Sequence, residues 1–203
     1  MGTVERRERE REEIRRKILD AARDLFASEG YDKVTMRRIA EAIEYSPTTI
    51  YHHFEDKDDL VRALCEADFA RLFAALLPAV PTHADPVAAI RQLGRAYCAF
   101  GLRYPNHYRF MFLTPEKVGV NDELSPGRQS FGLLRAAVSR AMESGRLREK
   151  DADTVAQVLW ASIHGAVALL ITLKPEHWPT PPSPRLVEET VENSLRGFLV
   201  GSR

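Results

Sequence analysis

The chain has 203 residues, of which 44% are apolar and 29% are charged, and its formal net charge is zero. This balance is typical of a globular protein and excludes a disordered polar chain, a collagen-like repeat and a disulfide scaffold. The two cysteines, Cys65 and Cys98, lie in apolar helical patterns, which suits a reducing compartment and predicts no Cys-based redox or zinc site. The first residues are charged, so we expect no secretory signal and a cytoplasmic protein.

The first third of the chain predicts three helices. After an Arg- and Glu-rich stretch over residues 1–13, apolar residues recur at helical spacing from Ile14 to Phe26, and Gly30 follows as a helix-terminating glycine. We interpret residues 1–13 as a solvated helical extension, although its arginines could also contact phosphates. Two short helices follow, one capped by Thr35 and one over 46–54 that opens with a Ser-Pro pair.

Prolines and glycines divide the rest of the chain into further helices. In chain order we predict helices over about 58–77, 86–104, 126–144, 154–173 and 186–199, with a short apolar segment over 108–112 and a polar loop over 114–125. The sequence therefore predicts an all-α fold of about nine helices. We divide it into a first domain over residues 1–60 and a second domain over residues 61–203.

The helix predicted over 154–173 contains no Asp, Glu, Lys or Arg side chain. Its length would nearly span a bilayer. However, it carries Gln157, Ser162, His164 and Thr172. We therefore predict a helix of a water-soluble protein that is buried on all sides, with no membrane partner.

The two short helices, 35–42 and 46–54, have the spacing of a helix-turn-helix. Ile39, Ile43, Ile50 and Phe54 are placed to pack inward, and polar side chains remain outside on the second helix. In a helix-turn-helix the second helix enters the DNA major groove. Threonine hydroxyl and methyl groups are suited to contact base edges there.

Three motifs in this region carry a family resemblance: TMRRIA from Thr35, YSPTTIYHHF from Tyr45, and KDDL from Lys57. Together they strongly resemble the DNA-binding domain of TetR-type transcriptional regulators over about residues 12–62. The resemblance implies a homodimer with a C-terminal all-helical ligand domain. It also implies, as in most members, repression that a small molecule relieves.

The resemblance also implies roles for individual residues. It places a backbone phosphate contact at Arg37, base contacts at Pro47, Thr48, Thr49 and His52, and phosphate contacts at Tyr51, His53 and Lys57. Glu44 and Thr48 depart from the family, which often has glycine in the turn and again within the recognition helix. If the turn needs a left-handed residue, glutamate destabilises it by about 1 kcal/mol. Residues 1–60 contain 12 Lys and Arg against 15 Asp and Glu, so the prediction rests on where the charges lie.

The second domain offers candidate ligand-binding residues. The runs from Asn106 to Phe112 and from Trp160 to Gly165 are similar to one TetR C-terminal subfamily with a Trp…His-Gly helix. Aromatic residues on the central helices suit a hydrophobic or aromatic effector, and the candidates are Phe69, Tyr97, Phe100, Tyr104, Trp160 and His164. For any one of these residues taken singly, a core role is the favoured explanation. Arg95 and Arg103 are either partners of a ligand carboxylate or surface charges.

The last two helices predict the assembly. A chain of this size has too little core to cover both the helix near 154–173 and the helix near 185–200, so we expect a two-fold dimer built as a four-helix bundle. Two-fold symmetry predicts a near-palindromic operator. The predicted function is a ligand-responsive regulator of transcription, a repressor, whose partners are operator DNA, a small-molecule effector and a second copy of the chain.

Two other classes of protein compete with this interpretation. An enzyme is disfavoured because the chain lacks Gly-x-Ser-x-Gly, Gly-x-Gly-x-x-Gly and P-loop patterns, and its six histidines show no metal spacing. We therefore expect no catalytic residues, no metal and no cofactor. A helical protein–protein adaptor that keeps the helix-turn-helix without binding an operator is the alternative.

Overall fold

The structure is a computed structural model that describes residues 3–80, 85–113, 125–148 and 150–201. In this part of the chain nine α-helices are present: α1 (Thr3–Glu29), α2 (Met36–Ala42), α3 (Pro47–Tyr51), α4 (Lys57–Leu76), α5 (Pro86–Arg103), α6 (Pro105–Tyr108), α7 (Pro126–Glu143), α8 (Ala152–Thr172) and α9 (Leu186–Arg196). A π-helical turn, Arg109–Leu113, follows α6. The all-α prediction is confirmed. Most of the loop predicted over 114–125 lies outside the described residues.

The helix starts follow the capping residues that the sequence predicted. Thr35 Oγ1 accepts a hydrogen bond from the Arg38 amide at 3.1 Å, and Ser46 Oγ accepts one from the Thr49 amide at 3.2 Å. Such side chains satisfy amides that have no partner within the helix. Helix α3 is shorter than predicted, because the chain turns after Tyr51 and the His53 amide donates to the Ile50 carbonyl at 2.9 Å.

The chain divides into two compact units. The first comprises Met1–Asp68 with Asn106–Asn121, and the second comprises Phe69–Pro105 with Asp122–Arg203. The core of the first unit is built from α1–α4 and the π-helical turn, with the following residues at its centre: Ile18, Ala22, Phe26, Val34, Ile39, Ala40, Ile50, Phe54, Leu60, Leu64 and Phe110. These apolar side chains hold the two short helices in place.

The segment that begins at Asn106 is fixed within the first unit. The Asp68 carboxylate, only 1% exposed, accepts a hydrogen bond from Arg23 Nη2 at 2.7 Å and lies 2.9 Å from His107 Nδ1. The Phe110 ring stacks on Phe26 with 5.6 Å between centroids. Residues 106–113, which the sequence grouped with the second domain, are therefore part of the core around α1.

The second unit packs α5, α7, α8 and α9 side by side. Its core contains Leu93, Val138, Leu159, Ile163 and Leu195 among others. Two ion pairs join α5 to α9: Arg91 Nε lies 2.9 Å from Glu192, and Arg95 Nη2 lies 2.6 Å from Glu188. Arg95 is thus engaged in holding α9.

Helix α8 is not buried on all sides of the protomer, which corrects the sequence prediction. Val155, Leu159, Ile163 and Val167 face the core. On the other side Val158 is 43% exposed and Leu169 is 47% exposed. By length and composition this helix would also be able to cross a membrane, and one third of its most apolar stretch is buried in the structure. Periodicity overestimated the burial because the described helices cover only one face of α8.

Candidate functional site

The α2–α3 pair is held by apolar contacts on its inner side. Ile39 of α2 and Ile50 of α3 are fully buried in the core of the first unit. Because Ile50 faces the core, the polar residues on the opposite face of α3 point outward. This is the arrangement of a helix-turn-helix.

The turn between the two helices has a left-handed residue. Glu44 has a φ of 59°, the Tyr45 amide donates to the Ala40 carbonyl at 3.0 Å, and the Glu44 amide donates to the Glu41 carbonyl at 3.2 Å. These bonds define a Schellman motif, where glycine is the usual residue. Gly145, with a φ of 69°, occupies the same position after α7. The expectation that Glu44 lies at a position favouring glycine is confirmed.

Most residues proposed for DNA contact lie on the outer surface of this pair. Pro47, Thr48 and His52 are exposed, and Tyr51 is 55% exposed. Thr49 is half-buried, and its Oγ1 lies 3.0 Å from Ser46 Oγ. The Arg37 side chain is exposed on α2, and its Nε lies 3.1 Å from Glu41 Oε1.

Lys57 and His53 are placed differently from the other candidates. Lys57 Nζ donates to the Tyr31 carbonyl at 2.6 Å and lies 3.7 Å from the centre of the Tyr31 ring, so the side chain joins the start of α4 to the chain after α1. His53 Nδ1 is buried and has no hydrogen-bond partner among the described residues. Burial lowers the pKa of His53, and the nearby charges of Arg11 and Arg15 lower it further.

Three of the ligand-binding candidates meet in the second unit. Trp160 Nε1 of α8 donates to the Tyr97 hydroxyl of α5 at 3.1 Å, and that hydroxyl lies 3.1 Å from His164 Nδ1. The indole N–H only donates, so the Tyr97 oxygen accepts from it. Which of Tyr97 and His164 donates in the second bond depends on the tautomer of the imidazole.

The other candidates lie close to helix surfaces of the same unit. The rings of Phe100 and Tyr104 are 5.4 Å apart on α5. The Phe69 ring lies over Gly127 of α7, where an added Cβ would come within 3.1 Å of it. Tyr97 and Phe100 are buried, whereas Phe69, Tyr104, Trp160 and His164 are half-buried. A core role and a ligand-binding role both remain compatible with these positions.

Two family models match the chain. One, described as bacterial regulatory proteins of the tetR family, matches residues 18–64. The other, described as the tetracyclin repressor-like C-terminal domain, matches residues 90–193, just over half of the chain. The chain belongs to the TetR family. The helix-turn-helix formed by α2 and α3 is the DNA-binding region of that family.

Relatives of this TetR-family chain match only part of it. An HTH-type transcriptional repressor of Mycobacterium tuberculosis is 53% identical over 60 residues, which are 30% of this chain and 32% of that protein. The repressor AcnR of Corynebacterium glutamicum is 47% identical over 58 residues, or 29% of this chain and 31% of AcnR. The chain therefore matches about a third of the length of these relatives.

Solved structures show the fold over nearly the whole chain. A TetR family transcription regulator from Marinobacter aquaeolei superposes with a TM-score of 0.75, over 96% of this chain and 98% of that one, at 18% identity. At this identity the match shows a common fold.

Sequence reasoning missed the buried ion pair of this TetR-family chain. Asp68 follows Leu60 and Leu64 and precedes Leu72 at four-residue steps, so it stands in the apolar stripe of α4. An acid at a core position signals a buried basic partner, because an unpaired buried charge is strongly unfavourable. The sequence did not show that Arg23, 45 residues earlier, would be that partner.

Proposed function

We propose that this protein is a sequence-specific transcriptional repressor that binds a near-palindromic operator as a homodimer. A small hydrophobic or aromatic ligand releases it from the operator. The observation that carries the proposal is the α2–α3 surface, where a capped short helix presents hydroxyl, imidazole and phenol groups outward. Relatives that match part of the chain at about 50% identity are named repressors, which supports it.

The exposed residues suit distinct parts of the duplex. Pro47, Thr48, Thr49 and His52 are our candidates for base contacts, because small hydroxyl and methyl groups fit base edges in the major groove. Arg37 and Tyr51 are candidates for phosphates. The Arg37–Glu41 pair is solvent-exposed, so exchange of the carboxylate for a phosphate loses little free energy.

Lys57 and His53 complete the proposed phosphate contacts, on different terms. Lys57 would have to leave the Tyr31 carbonyl to reach DNA, so we assign it first to positioning α4. His53 is half-buried beside two arginines, and a phosphate near this group would favour its protonated form.

The exposed face of α8 supports dimerisation through α8 and α9. Val158, Ala161, Gly165, Ala168 and Leu169 share that face, and small residues allow a second helix to approach closely. A Cβ added at Gly165 would meet no atom within 4 Å in the described protomer. Pairing of this face between two copies would form the predicted four-helix bundle.

We place the effector site around Tyr97, Trp160 and His164, with Phe69, Phe100 and Tyr104 as apolar candidates. Apolar walls with a few convergent polar groups are typical of small-molecule sites. Helix α4 begins in the first unit and continues into the second, so a ligand-induced shift of its second half would reach Lys57. Operator DNA and ligand must then weaken each other's binding by the same factor. Since the target is DNA, we place the protein in the cytoplasm.

The test is binding of the purified full chain to the DNA flanking its own gene, at two salt concentrations with random duplex as competitor. We expect selective binding that weakens as salt rises. Tyr51→Ala and Thr49→Ala should lower affinity by about 10-fold to 100-fold each, equivalent to about 1–3 kcal/mol. The control is Thr180→Ala, which replaces an exposed threonine between α8 and α9, and it should bind as the wild type does.

Each outcome distinguishes the possible functions of the protein. If only competitor-sensitive binding is seen, a selection from random duplexes follows, and failure there favours the adaptor. If selective binding is unchanged in Tyr51→Ala or Thr49→Ala, that residue is removed from the interface. Thermal unfolding and the oligomeric state of each variant are measured alongside, because an unfolded or monomeric variant would also bind weakly.

A further inference from the structure

Helix α1 begins well before its first core-facing residue. Residues 4–13 are all exposed. Val4 is the single apolar residue among them, and it is 68% exposed. Ten helical residues extend about 15 Å. This part of α1, the N-terminal extension, contributes no apolar side chain to the core of the first unit.

The arginines of the N-terminal extension are divided between two faces. Arg7, Arg11 and Arg15 follow one another at four-residue steps and therefore share one face. The same face continues into the core-facing residues Ile14 and Ile18. We call Arg7, Arg11 and Arg15 the basic stripe.

The other side of the helix is largely paired within itself. Arg6 Nε lies 3.5 Å from Glu10, Lys17 Nζ lies 3.2 Å from Glu13, and Arg9 Nε donates to the Glu5 carbonyl at 3.3 Å. In the described part of the chain, no ion pair involves the basic stripe. Its positive charge is therefore more available to an external anion than that of Arg6.

Contacts in the first unit fix the direction of the basic stripe. The Arg15 guanidinium carbon lies 4.5 Å above the centre of the Phe54 ring, just beyond the recognition helix α3. The charges of Arg11 and Arg15 are also close enough to His53 to contribute to its lowered pKa, after burial, while Glu12 opposes them. Arg15 therefore lies beside the residues proposed to contact phosphate, and the stripe continues away from them through Arg11 to Arg7.

We propose that Arg7 and Arg11 bind the phosphate backbone of DNA that flanks the half-site read by α3. The inference rests on the proposed function and extends its footprint. Residues four apart on a helix are about 6 Å apart along its axis, so the two guanidinium groups can reach separate phosphates. Arg15, which packs on Phe54, positions the start of the stripe.

The experiment compares two double variants of the full chain that remove the same charge. The stripe variant, Arg7→Gln with Arg11→Gln, removes two of the three arginines of the basic stripe, whereas Arg6→Gln with Arg9→Gln removes two arginines outside it. All four residues are exposed, and glutamine is a good helix former, so both variants should fold. The probe is a duplex recovered from a random-sequence selection with the wild type, used once with long flanks and once trimmed to the selected site.

We expect the stripe variant to bind the long duplex more weakly than the wild type and to bind the trimmed duplex equally well. The slope of log K against log salt on the long duplex should fall by about 0.9 for each phosphate that the variant no longer binds. The Arg6 and Arg9 variant should keep the wild-type flank effect on affinity. Circular dichroism and the oligomeric state verify the fold of both variants.

Three results would overturn the inference. The stripe variant could retain wild-type affinity and salt slope on the long duplex, or the control variant could lose as much affinity as the stripe variant, which would indicate net charge alone. In either case selective binding of the trimmed duplex by the wild type would leave the proposed function standing. If the wild type selects no duplex at all, the proposed function fails and the flank contact fails with it.

Discussion

The two units differ in how completely they bury their apolar side chains. In the first unit the core-facing apolar residues of α1–α4 are enclosed together with Phe110, and the exposed side of α3 carries polar groups. In the second unit α8 packs one apolar face inward and leaves Val158 and Leu169 exposed on the other. The first unit thus presents groups suited to a polar partner, and the second presents a face suited to another helix.

The two surfaces therefore need partners of different chemistry. A surface of hydroxyl, imidazole and guanidinium groups gains specificity from hydrogen bonds to bases and a fixed position from hydrogen bonds to phosphates. An exposed apolar face gains free energy from burial alone, at roughly 25 cal/mol per Å². Variants that alter one surface should therefore leave the fold of the other unit unchanged.

The largest expected effect comes from blocking the exposed face of α8. Gly165→Leu should leave the protomer folded, since an added Cβ meets nothing there and leucine favours a helix. If α8 pairs across the dimer, the bulkier side chain should give monomers. A monomer binds only one half-site, so operator affinity should fall by about 100-fold or more. Light scattering with size-exclusion chromatography measures the first effect, and duplex titration measures the second.

Gly132 provides the control for this substitution. It is half-buried on α7, and an added Cβ there also meets no atom within 4 Å. Gly132→Leu should therefore remain dimeric. A Gly165→Leu protein that stays dimeric would show that another surface forms the interface.

The second-largest expected effect concerns the buried ion pair of the first unit. Asp68→Asn removes the buried carboxylate from Arg23 and leaves it only the exposed Asp20, 2.7 Å from Arg23 Nη1, and breaking a buried pair destabilises a protein by about 3–5 kcal/mol. Both tryptophans, Trp160 and Trp178, belong to the second unit. Urea unfolding followed by circular dichroism should therefore begin earlier than the change in tryptophan fluorescence.

Glu66→Gln is the control for Asp68→Asn, because Glu66 is an exposed acid on the same helix. It should unfold as the wild type does by both measurements. Coincident, unshifted transitions in Asp68→Asn would contradict a stabilising role for the buried ion pair.

The smallest effect concerns the turn of the helix-turn-helix. Glu44→Gly removes the left-handed strain of a residue with a Cβ, and we expect a net gain of about 0.5–1 kcal/mol in the free energy of unfolding. Thermal unfolding checks the gain. Glu44→Gln removes the charge and keeps the strain, so equal stabilisation by both variants would assign the effect to charge.

The sequence predicted those parts of the molecule that local signals define. Thr35 and Ser46 cap α2 and α3 at the predicted positions, and Gly30 ends α1 with a φ of 85°. The spacing of the helix-turn-helix motifs also led to the family. Capping, periodicity and turn chemistry act over a few residues, which is why one sequence suffices to find them.

Side-chain partners far apart in the chain were beyond that reasoning. The family resemblance implied a phosphate contact at Lys57, but it did not indicate that the Lys57 ammonium group donates to the Tyr31 carbonyl, 26 residues earlier. The sequence named Tyr97, Trp160 and His164 as separate ligand-binding candidates. Only the packing of α5 against α8 brought the Tyr97 hydroxyl between the other two.

The sequence by itself determined the all-α class, the helix starts and the recognition motif, since each depends on contacts within one or two helical turns. The tertiary structure decided that Asp68 joins Arg23 and His107, that Phe110 completes the core around α1, and that one face of α8 stays exposed. These features depend on which helices become neighbours. That choice is made by packing of the whole chain, because burial of apolar surface is non-directional and shared among many residues.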